Sequence, residues 1–197
     1  MRPDDATTRE KILKATVGML GKHGPEKLTI RQIATEAGVN VAAINYHFRS
    51  KENLVDEAVY TFSAEAFAQG MKFLTAAGVA PETRLTNFFR GYAYGLVEFS
   101  GATRTAFLGL MHLPGAGGKY AGMVREMLGA ARACIGEMTG IADEAELGRR
   151  AVMLFSGVAF PFLYLDLFRE TSGVDYRNRA ERDRYIESLV EVLKTKA

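Results

Sequence analysis

The chain has 197 residues, a formal net charge of +2 and a hydrophobic fraction of 48%. That hydrophobic fraction excludes a disordered chain, and the length suits one compact unit or a small head joined to a larger body. The single cysteine, Cys134, excludes an intrachain disulfide. The longest uncharged apolar run, residues 151–165, is shorter than the ~20 residues of a membrane span. The charged N-terminal residues contain no apolar signal region, so we expect a cytoplasmic protein without a membrane partner.

Helical periodicity runs through nearly the whole chain, whereas strand alternation is almost absent, and this predicts an all-α fold. The first helix is expected over about residues 8–23, because Ile12, Thr16 and Met19 share one face with other apolar residues. Gly24-Pro25 should end it, as a cap glycine followed by proline does.

Three further helices are predicted directly after this turn. Thr29-Ile30-Arg31-Gln32 is a capping box that begins the second helix, and Gly38 ends it because glycine adopts a positive φ without strain. Asn40 is a good N-cap for a third helix over residues 41–48, and Ser50 caps a fourth, longer helix. Beyond these, helices are expected over residues 83–99, 103–113, 119–138, 144–170 and 180–196, with loops at 76–81 and 114–118.

Residues 29–51 contain the pattern that points to function. Two short helices joined at Gly38-Val39 are typical of a helix-turn-helix, in which the first helix crosses the DNA backbone and the second enters the major groove. Residues 20–51 contain five basic and two acidic side chains. This excess of three positive charges favours phosphate contact. The apolar positions that would hold the unit together are Ile33, Ala34, Val39, Ile44 and Phe48.

The face of the third helix opposite Ile44 and Phe48 presents small and polar side chains. Val41 and Ala42 can contact thymine methyl groups, and Asn45 can pair bidentately with adenine. Hydroxyl, imidazole and ammonium groups nearby suit phosphate oxygens, which position a protein without reading sequence. The same helix-turn-helix could instead be a plain packing motif with ordinary surface residues. The predicted DNA-binding residues are Thr29, Arg31, Asn40, Val41, Ala42, Ala43, Asn45, Tyr46, His47 and Lys51.

Several short motifs at fixed spacing resemble the tetracycline-repressor (TetR) family, over about the first 60 residues. The resemblance implies a homodimeric one-component regulator, usually a repressor, that leaves DNA when a small molecule binds its body. The family often has a tyrosine at the position of Asn45, whereas here the tyrosine follows as Tyr46. The motifs are Ile12-Leu13-Lys14-Ala15, Gly24, Thr29-Ile30-Arg31-Gln32-Ile33-Ala34, Ala37-Gly38-Val39 and Phe48-Arg49-Ser50-Lys51-Glu52-Asn53-Leu54.

We therefore predict two domains. Residues 6–66 would form a TetR-type helix-turn-helix DNA-binding domain, with its recognition helix at about residues 40–48, and residues 67–197 a helical regulatory and dimerisation domain. The helix at 144–170 is apolar over much of its circumference, and pairing it and the last helix with a second copy would bury that surface. A homodimer also matches a palindromic operator in double-stranded DNA. Packing of this helix inside a monomer is the alternative.

The body contains many aromatic and methionine side chains, which could line an apolar pocket for a small, flat or lipophilic effector. Taken one by one, such side chains are more often ordinary core residues than ligand contacts. Arg104, His112 and Glu98 could orient such a ligand. The candidate ligand-binding residues are Phe89, Tyr92, Leu96, Phe99, Phe107, Met111, Met127, Phe160 and Tyr164.

The sequence offers no pattern for catalysis, metal or cofactor binding. Gly117-Gly118-Lys119 lacks the other residues of a phosphate loop, and no Gly-x-Ser-x-Gly elbow occurs. The three histidines are far apart in sequence, with no metal-ligand spacing. We expect a non-enzymatic, ligand-released DNA-binding regulator. A DNA-binding dimer without a small-molecule effector, and a helical enzyme or carrier, are the alternatives.

Overall fold

The computed structural model describes residues 3–23, 27–100, 103 and 119–194. These residues form nine α-helices and contain no strand, so the predicted all-α class is confirmed. The predicted turn at Gly24-Pro25 lies outside the described residues. So do the loop at 114–118 and, apart from the helical Thr103, the predicted helix at 103–113.

The first four helices follow the predicted order. Helix α1 begins before the predicted residue 8, because a proline followed by Asp4 and Asp5 suits a first helical turn, where a missing N–H costs nothing and negative charge is favoured. Helix α4 is long and passes from one part of the molecule into the next. The bounds are α1 Pro3–His23, α2 Ile30–Ala37, α3 Val41–Phe48 and α4 Lys51–Leu74.

Five helices follow in the rest of the described chain, and one prediction there is wrong. The single helix expected over residues 144–170 is two helices, bent by 107° at Tyr164. Pro161 has no N–H for the carbonyl of Gly157, and that carbonyl accepts the Tyr185 hydroxyl at 3.0 Å instead. The bounds are α5 Pro81–Glu98, α6 Lys119–Thr139, α7 Glu144–Leu163, α8 Leu165–Ser172 and α9 Arg179–Val192.

The described residues fall into two compact units. The head unit contains the residues up to Glu65 together with 99–100 and Thr103, and the body unit contains 66–98 and the residues from Lys119 onward. Helix α4 therefore contributes to both. The head has its own buried core, in which the side chains of Ile12, Leu20, Ile33, Ile44 and Leu54 are almost completely enclosed.

The body unit packs α5 against α6, α7 and α9. Its core contains Leu85, Phe89 and Ala93 from α5, each with no exposed surface. Among the described helices, no single one has the length and hydropathy of a membrane span. Helices α7 and α8 reach that threshold only when taken together across their bend.

Candidate nucleic-acid interface

The turn between α2 and α3 is closed by backbone and side-chain hydrogen bonds at predicted positions. Gly38 has a φ of 66°, in the left-handed region, and its neighbour Val39 donates its N–H to the Ala34 carbonyl at 2.9 Å. Asn40 then begins α3, because its Oδ1 accepts the N–H of Ala43 at 2.7 Å. This tight turn holds α2 and α3 in the helix-turn-helix arrangement.

The inner face of α3 joins the core of the head unit. Ile44 is 1% exposed and Phe48 is 3% exposed, and α3 packs against α2, whose Ile33 and Ala34 are also buried. Since residues four apart lie on one face of a helix, burial of Ile44 and Phe48 directs the opposite face of α3 outward. The packing of two apolar residues therefore decides which side chains α3 presents.

The outer face of α3 contains the predicted base-reading residues. Val41, Ala42 and Asn45 are exposed, and Tyr46 is 76% exposed. The Tyr46 ring meets the half-buried His47 ring edge-on, with centroids 5.1 Å apart. This face therefore has the chemistry of a helix that binds in the major groove. It begins with small apolar side chains, has an amide in its middle and ends with a polar aromatic ring.

Thr29, which the sequence suggested for phosphate contact, is the N-cap of α2. The Thr29 hydroxyl accepts the Gln32 N–H at 3.3 Å and donates to Gln32 Oε1 at 2.8 Å. The Thr29 backbone N–H donates to the same Oε1 at 3.0 Å. The predicted capping box is therefore present, and the donors of Thr29 already have an acceptor.

The cations of the head unit differ in what they already contact. Arg9 pairs with Glu57 and lies 5.6 Å from the centre of the Phe48 ring, so it holds α1 against the helix-turn-helix. Arg31 and Arg49, in contrast, form no salt bridge with any described residue. The two arginines closest to α3 in sequence thus keep their charge for an external anion.

The start of α4 is also polar. The Ser50 hydroxyl accepts the Asn53 N–H at 3.1 Å, as the sequence predicted. Hydrogen bonds from the backbone and from Ser50 lower the pKa of the Glu52 carboxyl, and the ammonium group of Lys51 lowers it further. Lys51 therefore has a neighbouring carboxylate, which reduces but does not cancel its attraction for phosphate.

The candidate ligand-binding residues do not form one group. Phe89 is fully buried and Tyr92 half-buried, and their rings join those of Phe88 and Phe155 with centroid distances of 4.8–6.3 Å. We call these four residues the aromatic cluster. Phe88 is among the aromatic side chains of the body that the sequence suggested for an apolar pocket, whereas sequence reasoning did not assign a ligand role to Phe155.

The other candidates lie elsewhere. Phe160 and Tyr164 are 61% and 53% exposed, with rings 5.7 Å apart on the outer surface of the body unit. Phe99 belongs to the head unit, where its ring meets Phe62 at 5.0 Å. Leu96 is buried on α5, Met127 is half-buried on α6, and Glu98 is exposed. Phe107, Met111, Arg104 and His112 lie outside the described residues.

Within the described ranges, no three His, Cys, Asp or Glu side chains are placed to hold a metal ion together. The histidine nearest the proposed DNA face, His47, is engaged with aromatic rings on both sides.

Comparisons with known proteins match the head most strongly. Residues 12–58 match the family model described as bacterial regulatory proteins, tetR family. Over 93 residues the chain is 31% identical to the HTH-type transcriptional repressor KstR2 of Mycolicibacterium smegmatis, an alignment that covers 45% of each protein. It is 36% identical over 56 residues to the probable HTH-type transcriptional regulator YttP of Bacillus subtilis, covering 28% of this chain and 27% of that one. The chain thus spans less than half the length of these relatives.

The likeness of the fold extends further than the likeness of the sequence. The crystal structure of a TetR-family transcriptional regulator from Mesorhizobium loti superposes with a TM-score of 0.71, covering 98% of this chain and 97% of that one. The two sequences are only 20% identical. This neighbour shares the arrangement of an N-terminal helix-turn-helix and a helical body.

Proposed function

We propose that this chain is a sequence-specific DNA-binding transcriptional regulator of the tetR family and not an enzyme, and the match of residues 12–58 to the model of that family supports this. In more detail, we propose a homodimeric repressor that leaves a palindromic operator when a small lipophilic ligand binds the body unit. Regulators of this family bind operator DNA and act as dimers.

The observation that carries the proposal is the outer face of α3. It is exposed, it follows a closed helix-turn-helix turn, and its orientation is enforced by burial of Ile44 and Phe48. On this face Val41 and Ala42 would contact thymine methyl groups, and Asn45 would pair with adenine. The small side chain of Ala43 would let the helix backbone approach the base edges.

A second set of side chains would contact phosphate. Arg31, Tyr46, His47 and Lys51 lie on or next to the helix-turn-helix, and phosphate contacts of this kind fix orientation without reading sequence. The Asn40 Oδ1 is used by its cap, so only its amide group remains to donate to a phosphate oxygen. Thr29 would have to release Gln32 before its hydroxyl could do the same.

Exposed apolar side chains on α7 and α8 support a homodimer. A soluble monomer seldom exposes so many large apolar groups close together in sequence. A two-fold dimer would also match a palindromic operator, whose half-sites lie about one helical turn of DNA apart. The residues concerned are Val152, Met153, Phe160, Leu163, Tyr164 and Leu167, each 41–63% exposed.

The aromatic cluster supports an apolar effector. Its rings pack against one another, and a flat ligand would replace one such ring contact with another. The alternative is a DNA-binding dimer without an effector, in which the aromatic cluster is only core. Phe89 is fully buried, so a ligand could reach its ring only if the aromatic cluster opened. This burial favours the dimer without an effector.

Selection of duplex DNA from a random pool by the purified protein tests the proposal. We expect enrichment of one palindrome whose half-sites are about one helical turn apart. Absence of enrichment at low salt, where phosphate contacts are strongest, would contradict a DNA-binding role. A screen of lipophilic compounds against the selected duplex then decides the effector: release by any of them supports a ligand-responsive repressor, and release by none favours the dimer without an effector.

A further inference from the structure

Arg49 makes a sharp turn of the backbone between α3 and α4. Its N–H donates to the Asn45 carbonyl at 3.0 Å, which ends α3. The next N–H, that of Ser50, donates to the Phe48 carbonyl at 2.7 Å. This second bond spans Arg49, whose φ is 65° and whose ψ is −40°. Arg49 is therefore the central residue of a γ-turn with positive φ, a rare and strained conformation.

The arginine is an exception in its own chain. Within the part of the chain that the structure describes, Arg49 is the only residue other than glycine that has a positive φ. Glycine adopts such a conformation without strain because it has no Cβ. The strain at Arg49 therefore comes from its side chain, and a glycine there would remove it. The remaining positive-φ positions are Gly38, Gly78, Gly140 and Gly173.

The residues on either side of Arg49 hold the turn in place. Phe48 is 3% exposed, and its ring centre lies 5.6 Å from the guanidinium carbon of Arg9. The Ser50 hydroxyl accepts the Asn53 N–H at 3.1 Å and so caps the start of α4. One neighbour is fixed by packing and the other by a cap. The two helices thus impose the strained conformation on residue 49, whichever side chain stands there.

No contact within the described residues offsets this strain. The Arg49 side chain is exposed, and its guanidinium group makes no salt bridge or hydrogen bond with any residue that the structure describes. Arg9 differs, because it pairs with Glu57. Strained residues persist where the surrounding structure enforces them, and they cluster at functional sites. A strained, exposed and unpaired cation indicates a contact with something outside the chain.

The position of Arg49 on α3 indicates what that contact is. Its N–H bonds the carbonyl of Asn45, so its backbone lies one turn beyond the exposed amide that would pair with a base. When the first residues of a recognition helix contact base edges, the residues near its other end lie toward the DNA backbone. A guanidinium group there can donate two parallel hydrogen bonds to one phosphate.

We infer that Arg49 binds a phosphate of the DNA backbone beside the major groove that α3 enters, and that the strain of its γ-turn is tolerated for this contact. The inference rests on the proposed function and adds to it a residue that lowers the stability of the free protein while it raises affinity for DNA. Such a contact positions α3 without reading sequence.

Three substitutions at this residue separate its strain from its charge. Arg49→Gly removes both, Arg49→Gln removes only the charge, and Arg49→Lys keeps both. Thermal unfolding of the free protein measures the strain. We expect Arg49→Gly to raise Tm by about 2–4 °C, because relief of the strain outweighs the entropy that glycine loses on folding. The glutamine and lysine variants should unfold close to the wild-type Tm.

Titration of the selected duplex at several salt concentrations measures the charge. Arg49→Gly and Arg49→Gln should each weaken binding at least about fivefold and lower the slope of log K against log salt by about one, because one phosphate contact is lost. Arg49→Lys should keep the wild-type slope. Lys72→Gln removes one positive charge from an exposed lysine of the body unit, so this matched control should leave the slope unchanged.

Each other outcome overturns a stated part of the inference. A wild-type slope in Arg49→Gln would overturn the phosphate contact and leave the regulator intact, and so would a loss confined to one base pair. A Tm of Arg49→Gly at or below that of Arg49→Gln would overturn the strain. A wild-type protein that binds no duplex would contradict the regulator and the phosphate contact together, whereas the comparison of Tm values would stand.

Discussion

Asn45 and Thr29 differ in what their side chains can still offer to DNA. Thr29 has both of its donors engaged by Gln32, so its first task is to hold the start of α2. Asn45 is exposed, and its side chain makes no hydrogen bond with a described residue. Its amide can therefore meet the N6 and N7 atoms of an adenine without breaking an existing contact. At the scale of single residues, we therefore expect Asn45, and not the capping residues, to read the bases.

Replacing Asn45 with alanine should weaken binding to the selected duplex by ~1–3 kcal/mol and relax the preference at one base pair of each half-site. The reason is that the bidentate contact is lost while the fold of the head unit stays intact. Titration against duplexes that vary at each position measures both effects. Asn53→Ala, at another exposed asparagine, should leave base preference unchanged; a uniform loss over all sequences for Asn45→Ala would assign Asn45 to phosphate.

Helix α3 depends on a cap whose residue also faces the proposed DNA surface. Asn40 satisfies the Ala43 N–H, one of the free donors at the helix start. With only eight residues, α3 has few internal hydrogen bonds, so the cap is a large part of its stability.

Asn40→Ala should lower the free energy of unfolding by about 1 kcal/mol, because Ala43 loses its side-chain acceptor. Asn40→Asp should keep that stability, since a carboxylate caps equally well and suits the helix dipole. The same aspartate would repel phosphate, so its DNA affinity should fall although its thermal unfolding does not. Parallel melts and duplex titrations measure the two effects, and equal melting of both variants would contradict the capping role.

The C-terminal end of helix α4 belongs to the body unit and makes close contacts within it. The Leu74 carbonyl accepts hydrogen bonds from Arg84 Nη1 at 3.1 Å and Cys134 Sγ at 3.3 Å. Burial raises the pKa of the Cys134 thiol, which therefore keeps the proton that it donates. One turn earlier, a Cβ placed on Gly70 would lie 2.8 Å from Cε2 of Phe88. The glycine thus lets α4 pack directly on the aromatic cluster.

Gly70→Ala should destabilise the protein by about 1–3 kcal/mol, because the Phe88 ring is itself enclosed and cannot move aside freely. Gly91→Ala, in the exposed part of α5 with no atom within 4 Å of the new Cβ, is the matched control. It should stabilise the protein by up to about 1 kcal/mol through helix propensity alone. Chemical denaturation of both variants measures the difference, and the same change in both would show that the contact with Phe88 carries no strain.

At the scale of the whole molecule, the exposed apolar side chains of α7 and α8 form the surface that the proposed dimer would bury. At protein interfaces a few residues, often aromatic, dominate the binding free energy, and truncating one of them can cost about 2 kcal/mol or more. Phe160 and Tyr164 form such a pair, next to the bend that sends α8 in a new direction. The bend therefore shapes the surface that a second copy would meet.

Phe160→Asp should convert the proposed dimer to monomer at micromolar concentration, because a charge would be buried without a partner. Tyr94→Asp, at a 50% exposed aromatic residue on α5, should leave the dimer intact. Sedimentation velocity measures the state of each variant. A wild-type monomer, or a Phe160→Asp variant that remains a dimer, would remove α7 and α8 from the interface.

The sequence by itself determined the helix-turn-helix. Its capping box, its positive-φ glycine and the Asn40 cap all act between residues at most five apart, so their effect does not depend on the rest of the fold. The i, i+4 spacing of Ile44 and Phe48 then decided which face of α3 turns outward. Local interactions of this kind can be read from the chain, and the structure contains each of them.

Only the tertiary structure decided the break in the helix predicted over residues 144–170. Pro161 removes one backbone hydrogen bond from that helix. The hydroxyls of Tyr176 and Tyr185 bind the carbonyls of Val158 and Gly157 in the preceding turn, from 18 and 28 residues away along the chain. Long-range packing likewise brought Phe155 into the aromatic cluster and left Phe160 outside. It also left the buried Arg182 without a carboxylate partner among the described residues, because burial and ion pairing depend on which helices meet and not on the residues beside it in sequence.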